Sequence, residues 1–222
     1  MDVKELKNVH VLNHPLLTHK ISKIREEKTK TNYFRQLVKE ISIIEGYEAL
    51  RDLPTFMKEI KTPVEMTTQP FINPRKLCFV PILRAGLGMS DGLLELVPGA
   101  HCGHIGLYRD EVTHEPHEYY CKLPDNIQKL DVYVCDPMLA TGGSAIDAVR
   151  MLQKHGVRHV KGFICIIAAP EGVETFSKAF PDIPLYIGAL DRCLNEKAYI
   201  CPGLGDCGDR IFGTAVSKDD EE

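Results

Sequence analysis

An acidic residue, two hydroxyl residues and two glycines lie close together at Asp136, Thr141, Gly142, Gly143 and Ser144. Thr141 and Ser144 offer hydroxyl donors, and the paired glycines let the backbone close around an anion. Asp136 would repel a phosphate but can accept two hydrogen bonds from a sugar diol. A phosphate cradle one loop away from a diol-binding carboxylate describes a ribose 5-phosphate site. The plainer reading of the same residues is an ordinary strand-to-helix turn rich in small side chains.

The flanking residues supply the elements that such a site needs. Val132–Cys135 is a short apolar run of the kind that becomes a fully buried strand. Ala145, Ile146, Val149 and Leu152 repeat at helical spacing, Lys154 and His155 suit a last turn, and Gly156 suits a left-handed stop. A strand that feeds a glycine loop and then a helix aims unpaired N–H groups and the positive end of the helix dipole at one spot.

A second loop has similar chemistry. The strand-like run 76–83, KLCFVPIL, leads into Arg84-Ala85-Gly86-Leu87-Gly88-Met89-Ser90-Asp91-Gly92 and then into a helix through Leu93, Leu94, Leu96 and Val97. Its glycine spacing misses the dinucleotide fingerprint. Arg84 could bring a guanidinium fork to an anion held by the loop, or could simply face solvent at a helix start. Residues 103–109 form another short strand. The polar stretch after it returns to Tyr119-Tyr120, which predicts a long hairpin with Glu115-Pro116 near its tip and a position suited to a lid. His114 and His117 within it read as solvated loop histidines rather than metal ligands. The literal G-x-G-x-x-G at Gly203, Gly205 and Gly208 has too little chain after it for a nucleotide-binding unit. Cysteines are scattered singly and read as buried thiols, and Cys193, Cys201 and Cys207 have the wrong spacing for zinc.

Taken in order, residues 10–50 predict two helices. The first starts at Pro15 and buries Leu17, Ile21 and Ile24. The second is capped by Thr31 or Asn32 and buries Phe34, Leu37, Val38, Ile41 and Ile44. This pair must pack on the sheet or on another subunit. Residues 54–75, rich in Pro and Thr, read as an irregular strand-and-loop connection. HVKGFICIIA (159–168) is a strand, Pro170 and Glu171 open a helix with Val173, Phe176 and Phe180 that Pro181 stops, and PLYIGAL (184–190) is the last parallel strand. The expected fold is α/β, a parallel sheet flanked by helices on both faces. Its ligand crevice belongs at the carboxyl ends of the strands, where Arg84, Arg109 and Asp136 fall. We divide the chain as one domain: 1–75 an N-terminal helical arm and connection, 76–190 the core, 191–216 a C-terminal hood, 217–222 an acidic tail.

Composition sets the outer bounds. The 222 residues carry 44% hydrophobic and 26% charged residues and a net charge of −4. This describes a globular chain and argues against broad nucleic-acid binding. The start has no apolar signal core, and no long apolar run occurs, so a cytoplasmic protein with no membrane partner is expected.

The string DPMLATGGS, PILRAG at 81–86 and AYICPGLGDCGDRIFGT at 198–214 together resemble the uracil phosphoribosyltransferases. Cys135 stands where most phosphoribosyltransferases carry a first acidic residue, a departure this family shares. The resemblance implies the type I phosphoribosyltransferase fold and transfer of phosphoribosyl from 5-phosphoribosyl 1-diphosphate to uracil. It implies donor contacts at Arg84, Arg109, Asp136, Pro137, Met138, Leu139, Ala140, Thr141, Gly142, Gly143, Ser144 and Asp206. Uracil contacts would fall at Ile200, Gly205, Asp206 and Cys207, where Cys207 replaces a more usual Ala. Arg84, Arg109 and Asp136 would carry the catalysis. Mg²⁺ would be the cofactor, bridged by the donor diphosphate rather than held directly by side chains. A GTP effector and a homo-oligomer, dimer or tetramer, are also implied, and no covalent nucleophile is evident. A pyrimidine-sensing RNA-binding regulator on the same fold is the alternative, though its basic surface is not advertised by 27 Lys+Arg against 31 Asp+Glu. The absence of G-x-x-x-x-G-K-[ST] speaks against an appended kinase.

Overall fold

A computed structural model describes residues 3–109 and 116–214. Among them, β1 (Val9–Val11), α1 (Pro15–Arg25), α2 (Thr31–Ala49), the hairpin β2 (Phe56–Lys61) and β3 (Met66–Phe71), β4 (Leu77–Leu83) and α3 (Leu87–Leu96) come first. Then follow β5 (His101–Cys102), β6 (His104–Arg109), β7 (Pro116–Lys122), β8 (Asp131–Cys135), β9 (Met138–Leu139), α4 (Gly143–Lys154), β10 (His159–Ala168), α5 (Pro170–Ala179) and β11 (Leu185–Leu190). The last elements are β12 (Cys193–Leu194), β13 (Ile200–Cys201) and the short α6 (Cys207–Phe212). The main sheet runs β1-β11-β10-β8-β4-β6-β7, with β5 on β4 and β9 on β10. Its pairings are parallel except the β6–β7 hairpin at one edge.

The central strands read as unbroken apolar runs because helices cover both faces. Strand alternation then sorts their side chains between two cores. Val132, Val134, Phe163 and Cys165 face α4 and α5. Tyr133, Cys135, Ile164 and Ile166 face α1, α2, α3 and α6. The predicted parallel sheet with helices on both faces is therefore what the chain forms. Of the two places open to the first helices, α1 and α2 take the sheet: Leu17, Ile21, Ile24, Phe34, Leu37, Val38 and Ile41 are buried there. No helix among the described residues is long and apolar enough to cross a membrane.

Three details differ from expectation. Residues 9–11 are not part of the helical region but an edge strand, parallel to β11. Neither Thr31 nor Asn32 caps α2; Lys30 is the N-cap and makes no side-chain cap bond, while Asn32 Oδ1 accepts from the Tyr33 N–H at 2.8 Å. Residues 54–75 hold a regular antiparallel hairpin from Phe56↔Phe71 to Lys61↔Met66. Both its faces are largely exposed, so it lacks the apolar alternation by which a strand is recognised.

Candidate active site

The phosphate-loop candidate is more tightly built than a free turn. After β8 ends at Cys135, the chain continues beside β10 as β9, with Met138 opposite Ile167 and Leu139 opposite Ala168. Backbone bonds tie it at Asp136 N–H to Ile164 O (3.2 Å), Ile167 N–H to Pro137 O (3.1 Å) and Ala169 N–H to Leu139 O (2.9 Å). The Leu139 side chain is in the core, so only its backbone can serve a ligand. Gly142, at φ 85°, is the N-cap of α4, and a Cβ there would stand 2.9 Å from Gly172 O. Left-handed backbone and close approach both demand glycine. Beyond it the first-turn amides of α4 have no intrahelical acceptor, and Thr141 and Ser144 are exposed beside them.

Asp136 sits at the carboxyl end of β8, half-buried, on a cavity of about 200 Å³ shared with Leu83, Tyr108, Ser144 and Asp147. Burial pushes its carboxyl up to about 7, opposed by the Met138 N–H that donates to Oδ1 at 3.4 Å. Arg84 leaves the neighbouring strand β4 through a cis Leu83–Arg84 peptide. It is exposed, with its guanidinium carbon 5.4 Å from the centre of the Phe212 ring. Gly86 two residues on is wedged so closely that a Cβ would meet Cys135 O and Ile82 O at 2.7 Å. Arg84, Met138 and Ala140 line a second cavity, of about 340 Å³, together with Tyr199, Ile200, Gly205, Asp206 and Cys207. The sequential neighbours Leu83 and Arg84 thus line different cavities, as do Asp136 and Met138. The two spaces lie side by side at the carboxyl ends of β4 and β8.

The wall of the second cavity is held from behind by two arginines that sequence reading did not single out. Arg25 makes a fork on Asp191, Nη1 to Oδ2 at 2.8 Å and Nη2 to Oδ1 at 2.5 Å, and also donates to Gly203 O at 2.7 Å. Asp191 Oδ2 accepts from the Gly203 N–H at 2.9 Å. Arg210 donates to Ile24 O, Leu204 O and Glu26 O while its guanidinium lies over Phe34. Asp206 is the N-cap of α6, its Oδ1 accepting from the Asp209 N–H at 2.8 Å. At the tip between β12 and β13, Asn195 Oδ1 accepts from the Lys197 and Tyr199 N–H groups, at 3.0 and 2.9 Å, and so sets Ala198 and Tyr199 at the cavity mouth. Arg25 and Asp191 are 166 residues apart in the chain, and Arg210 and Ile24 are 186 apart, so no local pattern could reveal these pairs.

The structure therefore gathers Arg84, Asp136, Met138, Ala140, Ser144, Ile200, Gly205, Asp206 and Cys207 on two adjoining cavities. Arg109 ends β6 opposite Pro116, as a hairpin requires, but its side chain and residues 110–115, including His114, lie outside the described residues. His117 stacks on Tyr108, ring centroids 5.4 Å apart. A further cavity of about 380 Å³ near Leu53, Phe56, Leu77 and Asp131 lies at the amino ends of β4 and β8, the wrong end of a parallel sheet for this chemistry.

Comparison with known proteins identifies the family and the fold. A family model described as uracil phosphoribosyltransferase matches residues 11–214. The chain is 54% identical to a uracil phosphoribosyltransferase of Clostridium beijerinckii over 203 residues, 91% of this chain and 97% of that one. The solved AQ2163 protein of Aquifex aeolicus superimposes with a TM-score of 0.87 at 39% identity, covering 94% of this chain and all of the other. An adenine phosphoribosyltransferase of Trypanosoma brucei, solved with AMP, pyrophosphate and ribose-5-phosphate, shares the fold at a TM-score of 0.55 and 11% identity, over 91% and 90% of the two chains.

Proposed function

The chain belongs to the uracil phosphoribosyltransferase family, and on that premise we propose how its residues divide the work. The enzyme transfers the phosphoribosyl group of 5-phosphoribosyl 1-diphosphate to uracil, giving UMP and diphosphate. The adjacency of the two cavities carries the assignment. Uracil takes the one under the hood, and the donor's ribose and 5-phosphate take the one with Asp136 and Ser144. The transferred carbon lies where they meet.

Displacement at an anomeric carbon builds cationic character on the sugar and gathers negative charge on the leaving diphosphate. Catalysis is then mostly positioning and electrostatics. Asp136 accepts the ribose hydroxyls, the 140–144 backbone holds the 5-phosphate, and Arg84 and Arg109 meet the diphosphate. For Mg²⁺, the oxygen donors of Asp136, Ser144 and Asp147 suit a hard cation. They would hold its waters, and the ion when bound neutralises charge on the diphosphate. The exposed Phe56, Met57, Val64, Met66 and Phe71 of the β2–β3 hairpin favour burial against a second copy, in a dimer or tetramer. The regulator reading gains no support from the comparisons.

Base choice rests on main-chain groups of Ile200 and Gly205–Cys207. Cytosine mismatches uracil at two polar positions, each costing about 1–3 kcal/mol when buried, so discrimination reaches roughly a thousandfold. The test is kcat/KM for uracil against cytosine in the natural protein and in Cys207→Ala. A large ratio that survives the substitution supports the reading. Cytosine turnover within about tenfold of uracil sinks it.

A further inference from the structure

Away from the substrate cleft, Glu118 and Cys121 of β7 meet His155, the residue that ends α4. One ligand atom from each lies within 4.8 Å of the others. Spacing alone hides the cluster, because residues three apart point to opposite faces of a regular strand. Here Gly106 is opposite Tyr120 but Leu107 is opposite Glu118, so Tyr119 is an extra residue in β7. That bulge reverses the alternation. Glu118 then shares the face of Leu107, and Cys121 shares that of Ile105, which is in the core beneath α4. The Tyr119 ring covers Gly106, where a Cβ would come within 2.5 Å of it.

We propose that Glu118, Cys121 and His155 form a binding site for a divalent transition metal of the zinc class, distinct from the substrate cleft. Thiolate, imidazole and carboxylate are a borderline-soft set that suits zinc and cobalt and disfavours magnesium or calcium. Zinc bonds of about 2.0–2.3 Å place tetrahedral ligand atoms about 3.5 Å apart. The Glu118 Oε2 and His155 Nε2, now 2.7 Å apart, must separate slightly, and no pair of ligand atoms is more than 4.8 Å apart. Both side chains are partly exposed, so losing their hydrogen bond costs little. On binding, the Cys121 S–H bond breaks, its proton leaves to solvent and the sulfur–metal bond forms. The Nε2 proton that His155 now shares with Glu118 also leaves to solvent, Nδ1 keeps or takes up the proton of the neutral ring, the Nε2 lone pair binds the metal, and water fills the fourth position. The alternative use of the trio, a nucleophilic cysteine, is disfavoured because burial and Glu118 hold the free thiol at about 11. The twelve residues of α4 span about 18 Å, so the ion would be far from the phosphate loop at the other end of that helix. It would join the hairpin strand to that helix and stabilise the fold by mass action.

The experiment is titration of the full-length protein with Co²⁺, without substrates, followed by the thiolate-to-cobalt charge-transfer absorption. One equivalent should produce the band, and Zn²⁺ should abolish it. Cys121→Ser should remove the band, and His155→Gln should weaken binding at least tenfold. UMP formation should stay unchanged in both. As a readout on the natural protein alone, Zn²⁺ should protect Cys121 from alkylation in a peptide map. No band in the natural protein, a band that persists in Cys121→Ser, or alkylation of Cys121 unaffected by zinc would overturn the proposal.

Discussion

Arg25 on α1 and Asp191 after β11 form a two-pronged ion pair, and the same guanidinium donates to the Gly203 carbonyl while the same carboxylate accepts from the Gly203 N–H. The carboxylate is almost fully buried, at 4% side-chain exposure. Helix α1 is thereby coupled to the loop behind the cavity that we assign to the base.

Arg25→Ala would strand the Asp191 charge, at a stability cost of about 3–5 kcal/mol. The KM for uracil should rise at least tenfold while donor affinity changes little, and Arg25→Lys should recover only part because the fork is lost. Chemical denaturation and separate titrations of the two substrates check this. Loss of donor affinity with an unchanged uracil KM would assign the pair to the wrong substrate.

Asp136 predicts a pH dependence. With its carboxyl pushed up to about 7 in the free protein, the acid is protonated below that pH and cannot accept both ribose hydroxyls. The kcat/KM for the donor should therefore rise as pH increases through about 7 and level off above it. Asp136→Asn should lower the plateau by tenfold or more and abolish the rise. A rise that persists in the Asn variant belongs to another group.

Gly172, at the start of α5, is as necessary to the phosphate loop as the loop's own glycines. A Cβ there would lie 2.3 Å from Ala140 O and 2.9 Å from Leu139 O, both main-chain atoms that cannot swing aside. Gly172→Ala should weaken donor binding, measured by calorimetry, by at least tenfold. Gly156→Ala is the control: at φ 91° with open space around it, it should cost about 1–2 kcal/mol of stability and leave donor affinity alone. Equal donor affinity in the two variants would detach Gly172 from the loop.

Glu45 of α2 is wholly buried, and both its carboxyl oxygens are without a hydrogen-bond partner among the described residues. Burial raises its pKa well above the usual range, so the folded chain keeps a proton that the unfolded chain gives up. The folded form binds more protons at any pH above the unfolded value, so this residue's contribution falls as pH rises from the ordinary carboxylate range toward the raised folded value. Glu45→Met should stabilise the protein by about 1–3 kcal/mol at neutral pH, with a smaller gain near pH 4. Denaturation curves at the two pH values decide it; a gain equal at both would mean that Glu45 is not held protonated.

What the sequence made legible follows from where the information lies. Strands β4, β8 and β10 and helices α1 and α4 announce themselves because burial on one or both faces imposes local periods on Leu, Ile and Val. The placement of Asp136, the 140–144 loop and Arg84 beside one another was legible because each directly follows a buried apolar strand in the chain. β1 was not, since three residues such as Val9–Val11 have no period and owe their strand form to pairing with β11. The β2–β3 hairpin carries mixed residues on two exposed faces. Arg25, Asp191, Arg210 and Gly172 act through partners distant in the chain, and Cys121 joins Glu118 only through a bulge.

In the function proposed above, this fold delivers phosphoribosyl to uracil with Arg84 facing the departing diphosphate. That function is tested most directly by UMP formation from labelled uracil and the donor, measured with the natural protein, Arg84→Ala and Arg84→Lys. The natural protein should form UMP, the folded alanine variant should lose about a hundredfold or more in kcat/KM, and lysine should recover part of it. No UMP from the natural protein, or near-normal kinetics in Arg84→Ala, would contradict it.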